Sequence, residues 1–180
     1  NNVYKVFEKN ESLGISYPTE ALVVYVSNLR KKKNNYFDDA GKESSIKKFY
    51  KGKALEVGFG SVANLIMLQE KGYECFGAEV SNEAVRKGKL FIKKKKLSKK
   101  INLKVFKKNK LCYPANNFDL VVGLQCIYYN TNIKKFLNEE IFKVLKPGGK
   151  FIFSFFAKDH TYQKYTEVLR KNISCFGKTH

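Results

Sequence analysis

Residues 53–71 run Lys-Ala-Leu-Glu-Val-Gly-Phe-Gly-Ser-Val-Ala-Asn-Leu-Ile-Met-Leu-Gln-Glu-Lys, and few folds accommodate such a stretch. An apolar segment of strand length, 53 to 58, carries Glu56 and runs into two glycines. An apolar helical run from about Val62 to Lys71 follows at once, with Gly72 as its C-cap. A strand that turns on glycine straight into a helix is the opening half of a crossover in a parallel sheet. Gly58 and Gly60 let a ligand lie against the backbone, and the first amides of the helix have no internal acceptors. Gly58-x-Gly60-x-x-Ala63 also satisfies the relaxed dinucleotide fingerprint. Glu56 argues against that ligand, because an anion two residues before the first glycine repels a pyrophosphate and attracts an ammonium group. The predicted ligand is therefore partly cationic.

The alternation continues along the chain. Residues 73 to 80 read as a second strand, and Ser81 caps a helix with Ala84, Gly88, Phe91 and Ile92 on one face. Strands are predicted at 101 to 106, 118 to 124 and 150 to 156. Between the last two, an amphipathic helix over 132 to 145 turns Ile133, Phe136, Leu137, Ile141 and Leu145 inward, and Pro147-Gly148-Gly149 stops it. Near the start, Pro18 opens an apolar segment running to Leu29, read as a helix with a strand as the alternative because of its β-branched content. Residues 30 to 53 form a polar connector with a short helical candidate at 46 to 50. The pattern predicts an α/β, Rossmann-like open sheet of mainly parallel strands with helices on both faces, its ligand beyond the carboxyl ends of the strands. We divide the chain into an N-terminal helix and connector, 1–49, and a ligand-binding domain, 50–180.

Four segments carry a family resemblance: Glu56-x-Gly58-x-Gly60; Glu79 at the end of the second strand; Phe118-Asp119-Leu120-Val121-Val122; and Leu145-Lys146-Pro147-Gly148-Gly149-Lys150-Phe151. In this order they resemble the motifs of class I S-adenosylmethionine-dependent methyltransferases, over roughly Tyr50 to Phe156. Tyr17-Pro18-Thr19-Glu20 is similar, more loosely, to the leading helix of small bacterial members that act on small molecules or glycans. The resemblance implies strand order 3-2-1-4-5 and S-adenosylmethionine as cofactor, with S-adenosylhomocysteine as product. It implies that Glu56 faces the aminoacyl end of the cofactor, that Gly58, Phe59 and Gly60 line it with backbone, and that Glu79 accepts from the ribose hydroxyls. Val80 would flank the adenine, the backbone of Lys108 would reach the ring, Leu124 and Gln125 would border the methyl-bearing end, and Tyr17 would close over the site.

Two residues depart from the pattern. Val62 stands where a third glycine is usual, and its branched side chain is expected to restrict the turn and crowd the ligand. Lys107 stands where an Asp commonly binds the adenine amino group, a bond lysine cannot accept, leaving Asn109 as a substitute acceptor. These departures keep a catalytically silent binding module open as an alternative, ahead of a nucleotide-binding oxidoreductase. Family members usually add two strands after the fifth, whereas Thr161 to Asn172 reads as helix and the sequence begins without Met, so we expect a trimmed or partial domain. Tyr128, Tyr129 and His160 are the candidates for orienting an acceptor or moving its proton, with aromatic packing as the alternative for the tyrosines and a plain surface histidine for His160.

The net charge is +19, and residues 86–110 supply thirteen positive charges without one acid, leaving +6 elsewhere. Such an edge suits a polyanion, which makes RNA methylation the second functional reading behind a small-molecule or glycan acceptor; a solvated lysine face is the plainer alternative. Gly123-Leu124-Gln125-Cys126 resembles neither the Asn-Pro-Pro-Tyr motif of amino-group methylators nor the Pro-Cys motif of carbon-5 methylators, which makes Cys126 a poor nucleophile. Cys75, Cys112, Cys126 and Cys175 form no CxxC pair, so no zinc site is expected; Cys75 and Cys126, at core strand or strand-end positions, read as buried free thiols, with a reducing cytoplasm as the default. No apolar run reaches the roughly 20 residues of a membrane span. Acceptor and oligomeric state are not encoded legibly.

Overall fold

The computed structural model describes residues 17–33, 52–97, 99–107 and 109–155. Five strands, β1 (Lys53–Val57), β2 (Glu74–Glu79), β3 (Ile101–Val105), β4 (Phe118–Gly123) and β5 (Leu145–Phe153), form one sheet in the order β3-β2-β1-β4-β5. All four pairings are parallel. The order reverses at β1, so the carboxyl ends of β1, β2 and β4 frame one mouth.

Helices α1 (Glu20–Lys33), α2 (Ala63–Glu70) and α3 (Asn82–Lys94) precede the later strands. The apolar leading segment is helical: Leu22 and Val26 point into the core from one face, at the i, i+4 spacing. The core has two parts. One joins Leu22 and Val26 to Leu65, Leu68, Val85, Ile92 and Leu103. The other gathers Leu55, Phe118, Val121, Ile133, Phe136 and Ile141.

Two elements differ from the sequence expectation. The 132–145 helix is α4 (Ile133–Phe136), a π-helical stretch Leu137–Ile141, and α5 (Phe142–Val144). Its predicted inward residues Ile133, Phe136, Leu137 and Ile141 are buried, but Leu145 has already left the helix and pairs with Phe118 as the first residue of β5. The register then shifts, so that Leu120 pairs with Lys150. Pro147-Gly148-Gly149 thus forms an irregularity inside the strand, with Gly148 at φ 75°, rather than a loop ahead of it. Asp119 fixes this region: Oδ2 accepts from the Lys53 amide at 2.8 Å, and both carboxylate oxygens accept from Lys146 Nζ at 2.9 and 3.0 Å. No helix among the described residues is long and apolar enough to cross a membrane.

Candidate functional site

At the mouth, β1 ends in a turn that only glycine tolerates well. Gly58 has φ 68°, its amide donates to the carbonyl of Ala78 at 2.7 Å, and a β-carbon there would lie 2.5 Å from Cys126 Cβ. Gly60, at φ 48°, has nothing within 4 Å of where a β-carbon would stand, so its face of the turn is open. Phe59, between them, is buried, and its ring lies against Gly77 and Gly88. Only its backbone is left for a ligand.

Glu56 is 3% exposed. Its Oε1 accepts from Asn64 Nδ2 at 2.7 Å, while its Oε2 is buried with no hydrogen-bond partner among the described residues. Burial pushes the carboxyl up to about 8; the Asn64 bond pulls the other way and the charge of Glu79 adds to the rise. Such a carboxyl is short of a donor, and an ammonium group meets that need with charge as well as hydrogen bonds.

Glu79, also buried, grips the turn itself. Its Oε2 accepts from the Gly60 amide at 3.1 Å, and its Oε1 from the Val80 and Ser81 amides at 2.7 and 3.3 Å. Oε2 keeps an acceptor site beyond its one contact, while Oε1 already accepts two bonds. Val80 is 45% exposed at the same rim, and Leu124 is half-buried against the core. Gln125 is exposed in the left-handed region at φ 55°, its backbone N–H donating to Ser154 Oγ at 2.7 Å.

Tyr128 is buried and Tyr129 is 66% exposed, their rings 4.6 Å apart; burial raises the Tyr128 hydroxyl well above its ordinary range. Cys126 Sγ donates to the Val57 carbonyl at 2.9 Å, and burial, with Glu56 and Glu79 nearby, raises the thiol to about 12. It is a protonated packing group at the floor of the turn, not a thiolate. Tyr17 is exposed on the segment before α1. Lys108 and His160 lie outside the described residues.

The structure answers the Val62 departure with a correction. Val62 is 3% exposed in the core, its Cγ1 facing Gly88 of α3, so its bulk is turned into the protein rather than toward the mouth. Lys107 is exposed, bridged to Lys110 across a tight turn, and Asn109 donates from its side-chain amide to Asn130 Oδ1 at 3.3 Å, with its own side-chain oxygen uncommitted among the described residues.

Asn64 escaped the sequence reading. On α2 it joins Glu56 to the segment before α1, accepting the Thr19 amide on Oδ1 at 2.7 Å. A polar residue in the first turn, ahead of the apolar run Leu65 to Leu68, was the available signal.

A family model described as a methyltransferase domain matches residues 55–153, more than half of the chain. Among solved structures, a protein from Pyrococcus horikoshii OT3 superposes with TM-score 0.56 at 23% identity, over 85% of this chain and 65% of its own. An S-adenosylmethionine-dependent methyltransferase from Mesorhizobium loti gives 0.51 at 19% identity, over 57% of this chain and 45% of its own. The geranyl diphosphate C-methyltransferase of Streptomyces coelicolor A3(2), solved with Mg2+, geranyl diphosphate and S-adenosyl-L-homocysteine, gives 0.52 at 14% identity, over 58% and 39%. The chain thus spans less than two thirds of the length of these structures.

Proposed function

The chain belongs to the methyltransferase-domain family, and on that premise we propose that it binds S-adenosylmethionine and passes the methyl group to a small-molecule or glycan-type acceptor. The observation that carries the reading is the buried, unpartnered Oε2 of Glu56 beside the Gly58 and Gly60 turn. A phosphate-binding turn would place donors there and no carboxylate.

When bound, the cofactor supplies a methyl group on a sulfonium that departs as a neutral thioether. The chain's own contribution is position and electrostatics. Glu56 takes the amino end; Gly58, Phe59 and Gly60 offer backbone to it; Glu79, with acceptor capacity to spare, takes the ribose edge while holding the Gly60 amide. Val80 and the backbone of Lys108 flank the ring, Leu124 and Gln125 border the reactive end, and Tyr17 covers the site from the leading segment. Tyr129, exposed at the rim, is the better placed of the tyrosine pair to orient an acceptor; His160 is the candidate base where the acceptor must lose a proton. The geranyl diphosphate methylator among the similar structures acts on a small molecule by name, which supports a small acceptor.

A second reading rests on the lysines. Lys89, Lys93, Lys94, Lys95, Lys96, Lys99, Lys100, Lys104, Lys107 and Lys110 are all exposed, and none has a carboxylate partner among the described residues. They run from the end of α3 along the edge strand β3 to the turn beyond Val105, which pairs with Glu79. RNA would track such a path to the mouth.

Calorimetry with S-adenosylhomocysteine tests the cofactor: saturable binding is expected, and no binding, or binding of NAD in its place, overturns both methyltransferase readings. Methyl transfer to small acceptors in the absence of RNA separates the first reading from the second.

A further inference from the structure

We propose that Asn64 is a positioning residue that aims the Glu56 carboxylate at the cofactor's amino end, and that the backbone amide of Thr19 sets the orientation in which Asn64 does so. This rests on the methyl-donor reading of the site given above.

The amide of Asn64 has two ends, and its neighbours decide which faces Glu56. A backbone N–H can only donate, so the Thr19 amide, 2.7 Å from Oδ1, fixes that atom as the carbonyl oxygen. Nδ2 is then turned to Glu56 Oε1 at 2.7 Å, with its second hydrogen toward Thr19 Oγ1 at 3.4 Å. Were the amide reversed, an oxygen would meet a carboxylate oxygen and an N–H would meet an N–H. With Oε1 held in this way the carboxylate cannot turn about its own axis, and Oε2 stays the oxygen without a partner.

The contact spans 45 residues of sequence, so cofactor affinity is tied to the seating of the leading segment. That segment is anchored independently of the site: Leu22 and Val26 of α1 are buried in the core, and the Leu22 and Val23 amides donate to the Thr19 carbonyl at 3.0 and 3.1 Å. Of the titratable groups around Glu56, the charge of Glu79 disfavours its ionised form, while the thiols of Cys75 and Cys126, pushed up by burial and by Glu56 itself, are protonated and neutral. Among the described residues, Asn64 is the side chain that favours it.

The test uses three variants of the full chain. Asn64→Ala removes the donor, Thr19→Pro removes the orienting N–H while Asn64 remains, and Thr19→Ala keeps the N–H as a control. Two readouts are taken: the dissociation constant of S-adenosylhomocysteine, and the titration of the Glu56 carboxyl in ligand-free protein followed by carbon NMR. Asn64→Ala is expected to weaken binding by roughly 10-fold or more and to move the Glu56 titration further up. Thr19→Pro is expected to do the same in smaller measure, and Thr19→Ala to change affinity less than about 2-fold, since the hydroxyl contact is long. A merely structural role for Asn64 would lower the melting temperature and leave the carboxyl titration where it was, and that result overturns the proposal. Thr19→Pro matching Thr19→Ala in both readouts overturns the part assigned to the Thr19 amide. If the unaltered protein binds no S-adenosylhomocysteine, the methyl-donor reading fails, and the carboxyl titration still decides whether Asn64 governs Glu56.

Discussion

Gly58 and Gly60 look alike in sequence and do different work. Alanine at Gly58 must adopt φ 68° and overlap Cys126, whose Cβ would be 2.5 Å away; strain and overlap together are expected to cost about 2–4 kcal/mol by denaturant unfolding. Alanine at Gly60 meets nothing within 4 Å. It should cost about 1 kcal/mol of strain but obstruct the open side of the turn, so its larger effect falls on S-adenosylhomocysteine affinity. Glu56 gives the pH dependence. Its carboxyl titrates at about 8 in the folded, ligand-free protein against an ordinary 4.5, so between those values the folded state holds a proton that the unfolded state has lost. Stability therefore falls as pH rises through that window and levels off above it. Glu56→Gln is expected to abolish this slope, visible in urea melts at several pH values, and to make the ligand-free protein more stable than the original above pH 8. The same variant should weaken S-adenosylhomocysteine by roughly 10- to 100-fold. Binding at pH 7 should release a proton, read from calorimetry in buffers of different ionisation heat, because pairing with an ammonium demands the ionised carboxylate. Glu56, Glu79 and the two glycines were legible in sequence because strand, turn and helix are contiguous there. Asn64 was not, because what gives it a task is Thr19, 45 residues earlier.

The elements were read more easily than their edges. Five strands and their order follow from alternating apolar runs plus the family motifs, and all five are present. The start of β5 was misplaced because Pro147-Gly148-Gly149 ends a helix by local chemistry. Whether the chain beyond a helix pairs at once is decided by a neighbour, here Phe118 facing Leu145. The π-helical stretch Leu137–Ile141 has no local signature in the sequence; it keeps Ile133, Phe136, Leu137 and Ile141 all inward ahead of an early strand. Val62, at the start of α2, is the instructive case. The motif position predicted crowding of the ligand, but the side chain fills core space against Gly88, where the usual glycine would leave a void. Val62→Gly is therefore expected to destabilise the fold by about 2 kcal/mol or more in chemical unfolding. It should not tighten S-adenosylhomocysteine binding by more than about 2-fold; a large gain in affinity would restore the crowding argument.

At the scale of the whole molecule, the two edges of the described sheet differ in kind. Along β5, Phe151 stacks on Phe153 with centroids 4.8 Å apart, and Phe153 is 47% exposed. Along β3 and α3 the surface is cationic, with Arg86 and Lys87 paired to Glu83 and ten further lysines carrying no carboxylate partner among the described residues. Lysines on an edge strand also block unwanted strand pairing, so exposure alone does not separate a docking face from a solvated one. Salt does. A face that follows phosphates releases counterions on binding, and for single-stranded RNA the logarithm of affinity falls with the logarithm of salt at a slope of about 0.7 per phosphate neutralised. The described residues of 86–110 expose no aromatic ring for bases to stack on, Phe91 being half-buried beneath Lys95. Contact with RNA through this face would therefore be almost wholly electrostatic, with a steep slope and little preference among homopolymers. If the face delivers an RNA acceptor, replacing Lys93, Lys94, Lys100 and Lys104 with Glu should abolish RNA binding and RNA methylation together while S-adenosylhomocysteine affinity stays within about 2-fold, since all four are exposed and none is among the residues assigned to the cofactor. If the acceptor is small, the same replacement leaves methyl transfer intact, and its rate does not fall as salt rises from 50 to about 200 mM.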